Sequence, residues 1–120
     1  MTQFPDFRET LGRHLLAIET RDLDTLAATL ADNLILIMAD GKLKRTKGDF
    51  MEAHRAWFAM QGWTLTAKPV EIYEGGSLGV AVLHLDYREG GKSSESYLTL
   101  VFERQGDQWL MVQDQNTPIG

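Results

Sequence analysis

The sequence contains no cysteine, which excludes disulfides, a thiol nucleophile and thiolate metal ligation. It has only three histidines, and no two stand at i, i+4 spacing, so no local metal-ligating pair is present and no metal is expected. Positive charge is scarce and scattered in a chain of formal net charge −5. Its densest cluster, Lys42, Lys44, Arg45 and Lys47, reads as a solvated turn, and no nucleic-acid partner is expected. The longest apolar run, Leu34 to Ala39, is far too short to span a bilayer. No apolar leader opens the chain, so the expectation is a cytoplasmic protein with no membrane partner. There is no Gly-rich phosphate loop, no dinucleotide fingerprint and no Ser-His-Asp pattern, and no cofactor is expected.

What is present is a single domain over residues 1–120, long enough to bury roughly two-thirds of its unfolded surface. Asp6 can cap a first helix whose stripe is Phe7, Leu11, His14, Leu15 and Ile18. Asp22 caps a short second helix with Leu23, Leu26, Ala27 and Leu30 on its apolar face. A strand follows from Asn33 to Met38, then an Asp40-Gly41 turn and a short returning strand to Arg45. Gly48-Asp49 opens a third helix to about Met60, with Phe50, His54, Trp57 and Phe58 in one arc. Trp63 to Glu74 reads as a strand in which Pro69 argues for an edge position or a bulge. Leu78 to Arg88 is a further strand.

The last third of the chain is a hairpin, Tyr97 to Arg104 and Gln108 to Ile119 about a Gly106-Asp107 turn. Both faces of its arms are apolar, whereas a sheet with one wet face shows apolar residues on one side only. The order is helix, helix, strand pair, helix, four long strands. It predicts an α+β fold, three helices packed on the concave face of a cone-shaped, curved antiparallel sheet.

That order resembles the nuclear-transport-factor-2-like superfamily, a cystatin-like fold with a pocket between sheet and helices. Within it, Trp109-Leu110-Met111-Val112-Gln113-Asp114-Gln115-Asn116-Thr117 is similar to the last strand of the SnoaL-like branch. That branch includes relatives of the calcium/calmodulin-dependent kinase II association domain and ketosteroid-isomerase-like proteins. Asp22-Leu23-Asp24 with Ala31-Asp32-Asn33 is a second shared signature.

The resemblance implies a homodimer through the outer sheet faces and a small-molecule ligand. It does not imply one chemistry. The tyrosine that donates to the enolate in ketosteroid isomerases falls on His14. Their aspartate base falls on Met38, whose thioether takes no proton, so that mechanism is not expected as that family runs it. The arginines that line an anion pocket in the association domains fall on His84, Leu100 and Asn116. Their paired histidines fall on Gln113 and Gln115.

These positions choose a face. His84, Leu100 and Asn116 would point inward with Val82, Asp86, Leu98, Phe102, Leu110, Val112 and Asp114. Tyr97, Val101, Trp109 and Met111 would form the dimer side. Asp86 and Asp114 are then either carboxylates with raised pKa values in an apolar cone or solvated groups at its rim. His54 and His14 are pocket hydrogen-bonding groups or satisfied core histidines. Trp57 and Trp63 are pocket walls or plain core.

Two functions remain open. The first is a pocket protein binding a small, mostly hydrophobic molecule, with cofactor-free acid/base chemistry of isomerase, cyclase, dehydratase or hydrolase type. Asp114 and His14 would be its catalytic groups, and Met38, His54, Trp57, His84, Asp86, Leu100 and Asn116 would be its ligand contacts. The second is a non-catalytic association or ligand-sensing module.

Overall fold

A computed structural model describes residues 4–119. Met1–Gln3, part of the stretch from which no leader is expected, lie outside the described residues. The fold is α+β, a curved open sheet of six strands with three helices.

Helix α1 (Phe7–Glu19) starts where the sequence places it, because Asp6 and Glu9 form a capping box. The Glu9 backbone N–H donates to Asp6 Oδ1 at 2.8 Å. Helix α2 (Leu23–Ala28) is capped by Asp22, which accepts from the Thr25 N–H. It ends before Leu30, which belongs instead to strand β1 (Leu30–Ile37). Strand β2 (Leu43–Arg45) folds back on β1. Helix α3 (Lys47–Ala59) is capped by Thr46 and starts one residue before the Gly48-Asp49 start predicted from sequence. The remaining strands are β3 (Trp63–Gly75), β4 (Leu78–Glu89), β5 (Lys92–Gln105) and β6 (Gln108–Pro118).

The strand order is β2-β1-β6-β5-β4-β3. Pro69 is both on an edge strand and at a bulge, between Pro69 and Glu71, where its missing N–H does least harm. One expectation needs correcting. The sheet is mixed, because β1 runs parallel to β6, with Leu36 beside Asp114. No hairpin links these two strands, so nothing local sets their relative direction.

The helices cover the face of the sheet that carries Ala81, Leu83, Leu98, Leu100, Phe102 and Met111. Phe7 is fully buried there, 5.6 Å from the ring centroids of both Phe102 and Trp109. Gly79 admits it: a Cβ on that residue would come within 2.6 Å of the Phe7 ring. At the other end of α1, Arg21 ties the helix turn to β3. Its guanidinium donates to the Trp63 carbonyl at 2.6 Å and lies 3.8 Å over the Trp63 ring.

Register then fixes which side chains face the helices. Leu83 pairs with Leu98, and Ala81 with Leu100, so His84 and Asp86 point to the outer face instead. In β6 an extra residue at Val112 makes a bulge opposite Val101 and Phe102. The phase of the strand changes across it. Trp109 and Met111 are buried before the bulge and Asp114 after it. Trp109 and Met111 therefore belong to the core and not to the outer face, while Leu110 and Val112 take the outward positions.

Candidate functional site

At one end of the sheet the helices and strands leave a cavity of about 470 Å³. Its helical wall is Ile18 of α1 with Ala53, His54 and Trp57 of α3. Leu36 of β1 and Met38 just beyond its end, with Leu65, Leu85 and Leu98, make the sheet wall apolar. Polar groups enter from β4 (Tyr87), β5 (Ser94, Glu95, Ser96) and β6 (Asp114, Asn116).

Asp114 is the most unusual of these. It lies between Leu36 of β1 and Leu100 of β5, and it is only 5% exposed. Among the described residues no side chain or backbone group pairs with its carboxyl. Burial alone pushes its pKa up to about 7. An unpaired buried carboxylate is expensive, so the group holds its proton until near neutrality.

His54 is fixed by its own helix. Its Nδ1–H donates to the Phe50 carbonyl one turn back, at 2.9 Å. The Nε2 lone pair is left over. The Phe50 ring stacks on the imidazole with centroids 3.8 Å apart. Burial lowers the pKa of His54 to about 4 despite that hydrogen bond.

His14 lies deeper and does not line the cavity. The Thr29 hydroxyl donates to the Leu26 carbonyl, so it accepts from His14 Nδ1–H at 2.8 Å. His14 Nε2 is therefore a bare acceptor, and it is buried without a partner among the described residues. Burial, and secondarily the nearness of His54, lowers its pKa to about 3.

Trp57 stacks on Trp63 at 4.3 Å, and its indole N–H donates to the Tyr87 hydroxyl at 3.2 Å. Tyr87 in turn donates to Glu89 at 2.6 Å. Trp63 is core rather than wall: it is 2% exposed, and its N–H donates to the Trp57 carbonyl.

The structure thus brings five of the sequence candidates to one cavity: Met38, His54, Trp57, Asp114 and Asn116. Four others it does not. His84 pairs with Glu95 and Asp86 with Arg88, both on the outer face. The β4 strand is apolar on both sides, so alternation did not choose its phase. Leu100 is fully buried beside Asp114 and contributes apolar surroundings rather than a ligand contact. His14 stands behind the wall. The sequence reading missed Tyr87, Ser94 and Ser96. The usable signal was pairing, since Leu85 opposite Ser96 and Tyr87 opposite Ser94 carry these serines to the inner face.

A family model described as a SnoaL-like domain matches residues 8–117. No curated protein matches the sequence. Among solved structures, a candidate calcium/calmodulin-dependent protein kinase type II association domain from Thiobacillus denitrificans superposes over all of both chains, with a TM-score of 0.85 and 21% identity. A candidate ketosteroid isomerase from Shewanella frigidimarina has a TM-score of 0.80 and 19% identity, covering 90% of this chain and 91% of its own. A candidate dehydratase of the NTF2-like family from Streptomyces avermitilis has a TM-score of 0.81 and 14% identity, covering 92% of each chain. At these identities the likeness establishes the fold. The family match spans nearly the whole chain and meets the same helices and strands that build the cavity, and by it this protein belongs to the SnoaL-like domain family.

Proposed function

We propose that the cavity binds a small, mostly hydrophobic molecule and that Asp114 moves a proton on it without a cofactor. The observation that carries this is the Asp114 carboxyl, buried, unpaired and titrating near neutrality on the wall of an apolar cavity. A carboxyl with a purely structural role would have a partner. A pKa near the working pH suits a group that both takes and returns a proton. In an isomerisation the carboxylate accepts a proton from one atom of the ligand and returns it to another. In a dehydration the returned proton leaves with the hydroxyl as water. Two of the similar structures carry candidate isomerase and dehydratase names, which supports that type of step.

The test is a thermal-shift screen of neutral and charged apolar compounds, followed by turnover assays on the hits. A ligand at a hundredfold its Kd adds about 2.7 kcal/mol and moves the melting temperature by several degrees. Asp114→Asn should then lower turnover by about 10²-fold or more. Undiminished turnover in that variant removes Asp114 from the chemistry.

The reading as an association module expects an interior filled by its own aromatics. Trp57 and Phe58 pack against Trp63 and leave the cavity open, which supports a binding role instead.

We also propose a homodimer through the outer sheet face. Val80 pairs with Val101 there, with Val82, Leu110 and Val112 alongside and Ile35 and Ile37 on β1, all half-buried in the isolated chain. Sedimentation at micromolar concentration should give twice the 13.5 kDa chain mass, and Val101→Lys should halve it. A monomer at that concentration refutes the dimer.

A further inference from the structure

We propose that the molecule this cavity accepts is a hydrophobic amine, held as its ammonium against the Asp114 carboxylate. The proposal rests on the reading of the cavity as a binding site and adds the ligand's class.

It comes from an inventory of what the polar lining still offers. The ionisable groups turned to the cavity are His54 from α3, Tyr87 from β4 and Asp114 from β6, with no lysine or arginine among them; Glu95 of β5 borders it but directs its carboxylate to His84 on the outer face. The donors of three aromatic lining groups are already engaged. The Trp57 N–H goes to Tyr87, the Tyr87 hydroxyl goes to Glu89, and the His54 Nδ1–H goes to the Phe50 carbonyl. What remains on the ionisable groups is acceptor, the His54 Nε2 lone pair and the Asp114 oxygens, while Asn116, whose Oδ1 is buried without a partner among the described residues, keeps its amide N–H donors. Ser94 and Ser96 are small hydroxyls that serve either way.

A ligand that fits must therefore bring the donors. A carboxylate or phosphate brings only acceptors and meets Asp114 with like charge. An alcohol brings one donor. A primary ammonium brings three donors and the opposite charge. Its apolar body lies among Leu36, Leu65, Leu85 and Leu98, and the aromatic faces of Trp57 and Tyr87 favour a nearby cation. Both histidines near the site stay neutral at pH 7, so no buried positive charge opposes it.

The experiment is isothermal titration calorimetry of the intact protein at pH 8 with three probes of one shape: 2-(1-naphthyl)ethylamine, 2-(1-naphthyl)ethanol and 1-naphthylacetic acid. The amine should bind at least about tenfold tighter than the alcohol, and the acid weakest. In Asp114→Asn the amine's advantage over the alcohol should vanish, and a single cooperative melt shows that the variant is folded. Between pH 8 and pH 5.5 the amine's advantage should shrink as Asp114 takes up its proton. His54 and Tyr87 titrate outside that range, and Glu95 is engaged with His84 on the outer face. If the alcohol or the acid binds as well as the amine, or if Asp114→Asn keeps the preference, the amine proposal fails and the binding cavity stands. If none of the three binds at millimolar concentration, both fail.

Discussion

Between pH 6.5 and pH 4 the protein should lose about 3 kcal/mol of stability through three buried groups. His14 and His54 have folded pKa values of about 3 and about 4, depressed below the 6.5 of an unfolded histidine. Over this range the unfolded chain binds a proton at each that the folded chain refuses. Each histidine therefore destabilises the fold by about 1.4 kcal/mol for every pH unit lost. Asp114 works in the opposite direction. Its folded pKa, about 7, is raised above the unfolded 3.8, so here the folded state holds the extra proton. The net is one proton more on the unfolded chain. Urea unfolding at half-unit pH steps reads the slope. A midpoint that stays flat from pH 6.5 to pH 4 would show that the two histidines are not buried as neutral groups.

Asp114→Asn should make the protein more stable at pH 8 by about 4 kcal/mol, on the order of 15 °C in Tm. Above pH 7 the wild-type carboxyl is ionised in an apolar site between Leu36 and Leu100, with no partner to offset its desolvation. Asparagine has nearly the same shape and no charge to desolvate. The gain should fall below about 1 kcal/mol as the pH drops to about 4, because the wild-type group is then protonated in the folded state and a little under half protonated in the unfolded one. The variant should also show a steeper loss in acid, since the two histidines act without the opposing carboxyl. A variant no more stable than wild type at pH 8 would mean that the carboxylate finds a partner or solvent there. A residue that weakens the fold while standing in a cavity is the pattern expected of a functional group.

Much of this architecture is legible in local chemistry. Asp6 with Glu9 and Asp22 with Thr25 mark helix starts because a cap is an interaction of neighbours in sequence. Pro69 predicts an edge or a bulge because the constraint is its own missing donor. Phe50, His54, Trp57 and Phe58 share an arc at helical spacing, and they meet as stacked and edge-on rings. Asp114 stands out as the single charged residue of β6, just beyond the apolar Trp109 to Val112.

The rest depended on partners far away in the chain. Alternation shows that His84 and Leu83 lie on opposite faces, but in a strand apolar on both sides it does not say which face is inner. The pairing of Leu83 with Leu98 decides that. The bulge at Val112 changes the phase of β6, turning Trp109 and Met111 into the core while Asp114 stays on the cavity wall. A single extra residue has no composition signature, yet it exchanges the faces of everything before it. The direction of β1 along β6, which sets Leu36 beside Asp114, is likewise a long-range choice. The sequence by itself determined the elements, their order and the family they build. Only the tertiary structure decided which face each strand shows. Through that it set the environment that raises the Asp114 pKa, because desolvation is imposed by neighbours that other strands supply.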